Sequence, residues 1–422
     1  MPEVLILADD LSGAADCAGG CAAAGLDTLV LLAPDMTARA TVIAIDLDTR
    51  ESSAGEAGLT MARALERVWD ASSKVIYHKI DSTLRGAWAH ELAAARRSLA
   101  VMLGSAPLAL IAPAFPARGR RTRAGRVLVE TPSSKPAAAA RDAGAIAGPL
   151  QQLGLDVRSL ARGEINAATP GLAERFAALA HAKVDAVVCD AETEQDLAAI
   201  AAAGLASNLP LLWVGSAGLM RPLAAALAHS DARPAPLPAV RGPLLFVVGS
   251  AAAAARAQAE ALAAEPEITV LRVRPEDLTR GQAALAAALE AALDGGRDIA
   301  LLIDPASPAR GPLDPALVAG FADVVGPQLV RSGGLVATGG ETARRLLDRA
   351  RIASIKLGGE VDVGVPWGIA LGAPARQPPL LEAAAAGVIG WEPSFPIITK
   401  AGGFGDPGTL VRCRKVLKGM ER

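Results

Sequence analysis

Several apolar runs in the first half of this chain end directly in charged and hydrogen-bonding residues. LILADDLSG carries Asp9, Asp10 and Ser12, and IDLDTR carries Asp46, Asp48 and Arg50. KIDSTLRG places Lys79, Asp81, Ser82, Thr83 and Arg85 after VIY, and ARGRRTRAGR (117–126), headed by Arg118, follows APAFP. Carboxylates beside cations at one end of a strand set suit a small polar ligand, and an arginine can pair with a ligand carboxylate bidentately. Each cluster also has a plainer reading. Asp10 or Ser12 can cap a helix starting near Gly13, and Asp81, Ser82 or Thr83 one starting near Gly86. Capping needs one such residue and has no use for Lys79 or Arg85, so KIDSTLRG reads as a ligand site. Asp190 and Glu192 end VVCDAET, and DAETEQDL is a good capping sequence, the reading preferred there. The arginine-rich segment reads either as a solvated loop or, the reading preferred, as a loop forming a cationic rim over an anionic small molecule.

The second half collects glycine instead of charge. VVGSAAAAA, ATGGETA and ITKAGGFGD are turns of the kind that bring backbone N–H groups and helix N-termini to phosphate oxygens. Neither GxxxxGK[ST] nor a GxGxxG after the first strand is present, which disfavours a P-loop enzyme and an ordinary dinucleotide fold.

The elements that must position these residues are legible as alternating patterns. VLILADD, TLVLLA, TVIAIDLD, KVIYHKID, LALIAPAFP, VDAVVCD and LPLLWVGS are short, continuous apolar runs, as expected of strands covered on both faces. Helical segments such as GEAGLTMARALERVWD lie between them. The Pro-rich stretch HSDARPAPLPAVRGP (229–243) reads as a linker, after which the alternation restarts with PLLFVVGS. The expected fold is α/β, with two doubly wound domains, each a mainly parallel sheet flanked by helices. Domain limits are placed at 1–230 and 243–422, with a linker at 231–242. In such sheets ligands sit outside the carboxyl ends of the strands, where the charged and glycine clusters fall.

Bulk properties narrow the function. At 422 residues two domains are expected. Charged residues make up 20% and hydrophobic ones 51%, much of the latter Ala, which describes a compact globular chain. The uncharged stretch SLAVMLGSAPLALIAPAFPA is broken by prolines and reads as a helix end, a loop and a strand, not a membrane span. MPEVLILADD has no basic region followed by an apolar one, so a cytoplasmic location is expected. Cys17, Cys21, Cys189 and Cys413 form no CxxC pair and read as small buried side chains. The histidines show no zinc spacing. A net charge of −2 with few aromatics gives no nucleic-acid footprint.

ADDLSGAAD (8–16), KIDSTLRG (79–86), APAFPARGR (112–120), DAETEQDL (190–197), VGSAGL (214–219), VVGS (247–250), TGGET (338–342), GGEVDVGVPWG (358–368) and TKAGGFGDP (399–407) together resemble the four-carbon acid sugar kinases, in that family's order and over nearly the whole chain. The resemblance implies an N-terminal sugar-acid-binding domain and a C-terminal nucleotide-binding domain. It implies phosphorylation by ATP of the terminal hydroxyl of threonate, erythronate or an oxo-tetronate. It places ATP contacts at Ser250, Gly339, Gly340, Glu341 and Thr342, and at Gly402, Gly403, Phe404 and Gly405. On that footing Arg85 with Lys79 grips the substrate carboxylate, and Asp10 or Asp81 takes or orients the hydroxyl proton. Asp9, Ser82, Thr83, Arg50 and Arg118 line the acid. Mg2+ bridges the phosphates, with no protein ligand identified, and Glu341 acts on it through water. This chain departs from the family in the AAAAAR run after VVGS, where polar residues are usual, and in GRVLVETPSSKP, where a longer loop is usual. A non-catalytic sugar-acid sensor and an oxidoreductase are the alternatives. An Ala-rich surface suggests a homodimer.

Overall fold

The computed structural model describes residues 2–35, 37–130, 140–165, 169–228, 233–237, 240, 242–304, 315–372 and 395–420. The chain divides into two compact units, Met1–Thr28 with Ala33–Arg233, and Leu29–Leu32 with Pro234–Arg422. The stretch 229–243 read as a linker lies partly outside the described residues, as does GRVLVETPSSKP.

Strands are numbered in chain order. The first part of the chain holds β1 (Val4–Ala8), β2 (Thr28–Leu31), β3 (Val42–Asp46), β4 (Val75–Lys79) and β5 (Leu108–Ala112). β6 (Arg120–Arg123), β7 (Arg126–Val129) and β8 (Arg141–Ala145) follow, then β9 (Val157–Leu160), β10 (Ala186–Cys189) and β11 (Leu211–Gly215). The main sheet of the first unit runs β3-β1-β4-β11-β5-β10-β9, every pair parallel. β1, β3, β4, β5, β10 and β11 are buried along their whole length. This is why they read as unbroken apolar runs, with helices covering both faces. Ala8 lies opposite both Asp46 and Lys79, and Lys79 opposite Gly215, so the carboxyl ends of the central strands are level. The chain order changes direction around β1 and β4, the switch point at which ligands bind in such sheets.

Three helices frame that edge. α1 (Leu11–Ala23) is built almost wholly of small residues and is buried through Ala22. α2 (Ala54–Val68) opens with a Ser53–Glu56 capping box. α3 (Trp88–Leu103) follows the KIDSTLRG turn and ends at Gly104 in the left-handed region, φ 77°.

The arginine-rich segment is not the loop expected of it. β6, β7 and β8 form a separate three-stranded antiparallel sheet. Arg123 pairs with Arg126 across a two-residue turn in which Ala124 (φ 50°) and Gly125 (φ 68°) both take positive φ. That is the turn a tight hairpin requires, but without the Asn-Gly or Asp-Gly that signals it in sequence.

The second unit holds β12 (Leu244–Val248), β13 (Ile268–Val273), β14 (Asp298–Ile303), β15 (Gly334–Thr338), β16 (Ile352–Asp362), β17 (Val365–Gly372) and β18 (Pro396–Lys400). Its strand order is β13-β14-β12-β15-β18-β17-β16, parallel from β13 to β18 and antiparallel through β17 and β16. Leu29–Leu32 groups with this unit, and the Leu32 amide donates to the Ala353 carbonyl at 3.0 Å. The chain order reverses between β12 and β15. Leu244, Phe246, Val248, Val336, Ile398 and Leu410 belong to the buried cluster beneath.

Candidate active site

Asp9 and Asp10 follow β1, Arg50 follows β3, and Lys79 ends β4. Asp10 is the N-cap of α1, in extended backbone, and its Oδ1 accepts from the Gly13 amide at 2.7 Å. The capping role open to Asp10 or Ser12 therefore falls to Asp10. Its other oxygen accepts from Arg50 Nη1 at 2.5 Å. Arg50 also donates from Nε and Nη2 to the two oxygens of Asp9, both at 2.7 Å, and stands 3.9 Å from Asp81. A Cβ built on Gly13 would lie 2.6 Å from both Asp10 Oδ1 and Lys79 Nζ, so the Lys79 ammonium is laid against the first turn of α1, in space only glycine leaves open. Lys79 is 4% exposed.

Asp81 is engaged differently. Its Oδ2 accepts from the Thr83 amide at 3.1 Å, from the Thr83 hydroxyl, and from Arg85 Nε at 3.0 Å. Its Oδ1 accepts from Arg85 Nη2 at 2.8 Å. α3 has Ala87 as its N-cap and no side-chain cap, so Asp81, Ser82 and Thr83 do not cap the next helix. The turn is organised around the Asp81 carboxylate, with Ser82 buried and most of the Arg85 side chain exposed.

The two carboxylates are tuned in opposite directions. Burial is the largest influence on Asp10 and raises its pKa above the ordinary carboxylate value; Arg50 pulls the other way and Asp9 reinforces the rise. Burial pushes Asp81 upward too. The Arg85 hydrogen bonds and the charges of Arg50 and Arg85 outweigh that and hold its carboxyl well below the usual range. Asp10 is the more basic of the two.

The hairpin adds Arg120, a cation that the sequence did not single out. Arg118 ends a short 3-10 turn, Pro116–Arg118, and its carbonyl accepts from Arg120 Nη1. Burial lowers the Arg120 pKa, and the charges of Asp81, Arg118, Asp16 and Arg85 act on it as well. One arginine among five in a ten-residue stretch gives no sequence signal of its own. Asp190, read as part of a helix cap, has another task. It accepts from the Ala124 amide at 2.6 Å and the Gly125 amide at 2.9 Å, pinning the positive-φ turn. The cap is a Thr193–Asp196 box, and Glu192 pairs with Arg123.

In the second unit, Val248 lies opposite Thr338 and Thr338 opposite Lys400, so β12, β15 and β18 end side by side. The Gly339 amide donates to the Lys400 carbonyl at 2.9 Å. A Cβ on Gly402 would lie 1.8 Å from Ser250 Oγ and 2.5 Å from its Cβ. One on Gly249 would lie 2.2 Å from Thr342 Oγ1. Ser250, the Gly339–Thr342 turn and Gly402 are thus brought together, with backbone packed where side chains would block it. The helices Ala253–Ala263 and Gly340–Arg349 begin here, both without a side-chain cap, which leaves amide donors available. These features fit a phosphate chain. Glu341 is half exposed and accepts from Arg345 Nε at 2.8 Å, an i,i+4 pair on the helix surface. Gln258 was missed in sequence, being one polar residue within AAARAQAEALA. It is fully buried and its Nε2 donates to the Phe404 carbonyl at 2.9 Å, fixing the Gly402–Gly405 loop.

Cys17, Cys21, Cys189 and Cys413 are buried thiols outside any disulfide, and burial pushes Cys413 up to about 12. Among the described residues no group of three or more His, Cys, Asp or Glu can hold a metal ion, and no helix is long and apolar enough to cross a membrane.

A profile described as the sugar-binding N-terminal domain matches residues 4–223, and one described as the nucleotide-binding C-terminal domain matches residues 245–410. A Cupriavidus necator protein named D-threonate kinase is 39% identical over 96% of this chain and 96% of its own length. A Bordetella bronchiseptica protein of the same name is 32% identical over 99% and 98%. The solved structure of Haemophilus influenzae protein HI1011 covers 98% of this chain and all of its own at a TM-score of 0.69 and 19% identity, a likeness of fold. The chain belongs to the four-carbon acid sugar kinase family. It is a sugar-acid kinase, a phosphotransferase.

Proposed function

We propose that the acid is D-threonate, that MgATP is the phosphoryl donor, and that Asp10 accepts the proton of the terminal hydroxyl. The observation that carries the site assignment is Asp10 itself. It is a buried carboxylate of raised basicity at a strand end, oriented by the Gly13 amide and Arg50 and flanked by the Lys79 ammonium. A general base works best when its pKa approaches the working pH, which favours Asp10 over the strongly acidic Asp81. Asp81 instead holds Arg85 ready for the substrate carboxylate, and Arg118 and Arg120 add positive charge on the same side. Asp9, Arg50, Ser82 and Thr83 complete the polar lining.

Ser250, Gly339, Gly340, Thr342 and Gly402 to Gly405 would hold the triphosphate through backbone donors, and Glu341 stands at the rim, engaged with Arg345. Magnesium would enter as the ATP chelate, keeping phosphate oxygens and water as ligands. It would neutralise phosphate charge there, and no residue of this chain is assigned to it. D-Threonate is preferred because both relatives described above carry that name. A non-catalytic sensor and an oxidoreductase are not consistent with membership of this kinase family.

The test is coupled ADP release from MgATP across D- and L-threonate, D- and L-erythronate and their 2- and 3-oxo forms. Turnover highest with D-threonate is expected. A clear preference for another acid would overturn the substrate assignment while leaving the kinase class intact.

A further inference from the structure

Behind the Arg50 cluster lies a chain of buried polar groups that phosphoryl transfer leaves unused. Glu91, in the first turn of α3, and His78, on β4, are both 0% exposed, and Thr49 is 2% exposed. One Glu91 oxygen accepts from the Thr49 hydroxyl at 2.5 Å, and the other lies 3.1 Å from His78 Nε2, which donates to it. A carboxylate at a helix N-terminus is favourable at the surface, in water. Drawing it fully inside is costly, and a buried ionic group adds little to stability that apolar packing would not.

What Glu91 does reach is the hydroxyl of Thr49, the residue just before Arg50. The Thr49 amide donates to the Asp9 carbonyl at 2.9 Å, and the Arg50 amide to the same carbonyl at 3.1 Å. Just before them Asp48 takes φ 51°, with its amide on Asp46 Oδ1 at 2.9 Å. This short loop bends through a backbone conformation that side chains rarely adopt. Within it, the Thr49 hydroxyl bonds to α3 at Glu91, and through Glu91 to His78 on the strand that ends in Lys79. Arg50 leaves the backbone one residue after that tie, toward Asp9 and Asp10.

We infer that Glu91, acting through Thr49 and braced by His78, is a positioning residue for the Arg50 guanidinium. The inference rests on the reading of Arg50, Asp9 and Asp10 as part of the acid-binding cluster. A displacement of about 1 Å in such a cluster is enough for an effect on the order of 100-fold.

The experiment is steady-state kinetics on the full chain, with D-threonate (or the panel's best acid) and MgATP varied separately, for Glu91→Ala, Glu91→Gln, Thr49→Val and Arg50→Lys. Glu91→Ala is expected to raise KM for the acid by about 10-fold or more, with KM for MgATP little changed. Glu91→Gln, whose amide oxygen still accepts from Thr49, should restore most of the loss. Thr49→Val removes only the hydroxyl and should move the acid KM the same way; it keeps the test readable if Glu91→Ala does not fold. A merely structural role would lower Tm or the active fraction and leave the acid KM at its wild-type value in Thr49→Val and in any folded Glu91→Ala. That result overturns the inference. Arg50→Lys separates the two possible failures. An acid KM unmoved by Arg50→Lys removes the cluster reading itself, whereas one raised by Arg50→Lys alone removes only the role of Glu91.

Discussion

Asp10 and Asp81 follow adjacent strands, each beside an arginine, yet they differ in the chemistry left to them. Asp10 keeps one amide and one guanidinium bond and is made more basic by burial and by Asp9. Asp81 is saturated by Thr83 and Arg85 and made more acidic. From sequence the two were equivalent candidates, because each is an Asp just past an apolar run and the difference lies in neighbours brought from elsewhere. Asp10→Asn should lower kcat by roughly 100-fold or more, the usual range for losing a general base, with KM for MgATP little changed. In the wild-type enzyme the acid limb of kcat/KM for the sugar acid should lie above the ordinary carboxylate value near about 3.9, since activity disappears as Asp10 protonates. A limb at or below that value would remove Asp10 from the role of base.

At the scale of elements, the useful devices are turns. The KIDSTLRG turn leaves α3 without a side-chain cap and gathers Thr83 and Arg85 on the Asp81 carboxylate. Its polarity was legible because no single cap needs that many charges. The hairpin of β6 and β7 was not, since Ala124 takes a positive φ with its turn amides held by Asp190, which is distant in sequence. In the second unit the Gly402 turn is packed against Ser250, with no room for a side chain. Gly402→Ala must therefore shift one backbone segment against the other. We expect KM for MgATP to rise by about 10-fold, an effect on the order of 1.4 kcal/mol, with KM for the acid little changed. Separate titration of the two substrates measures this, and an unchanged KM for MgATP would place the nucleotide elsewhere.

For the molecule as a whole, charges held at the strand ends make stability depend on pH. The folded value of Asp81 lies below its unfolded value, so in acid the unfolded chain binds more protons and stability rises with pH. The contribution is complete above about 3.9 and is lost as pH falls below it. The stability difference between wild type and Asp81→Asn should therefore shrink between about pH 5 and pH 3 in denaturant unfolding, and a constant difference would contradict the Arg85 pairing. The larger architecture divides in the same way between what is local and what is not. Continuous apolar runs of strand length, separated by helical periodicity, determined by themselves a parallel sheet covered on both faces. Charge at one group of strand ends and glycine at the other marked the proposed acid and phosphate sites, because these signals lie within a few residues of each strand. Only the tertiary structure decided that Leu29–Leu32 joins the second unit, that Arg50 closes on Asp9 and Asp10, and that Asp10 is basic where Asp81 is not. Each of these depends on strand order and on what burial removes from water, and neither quantity is carried by any short stretch of the chain.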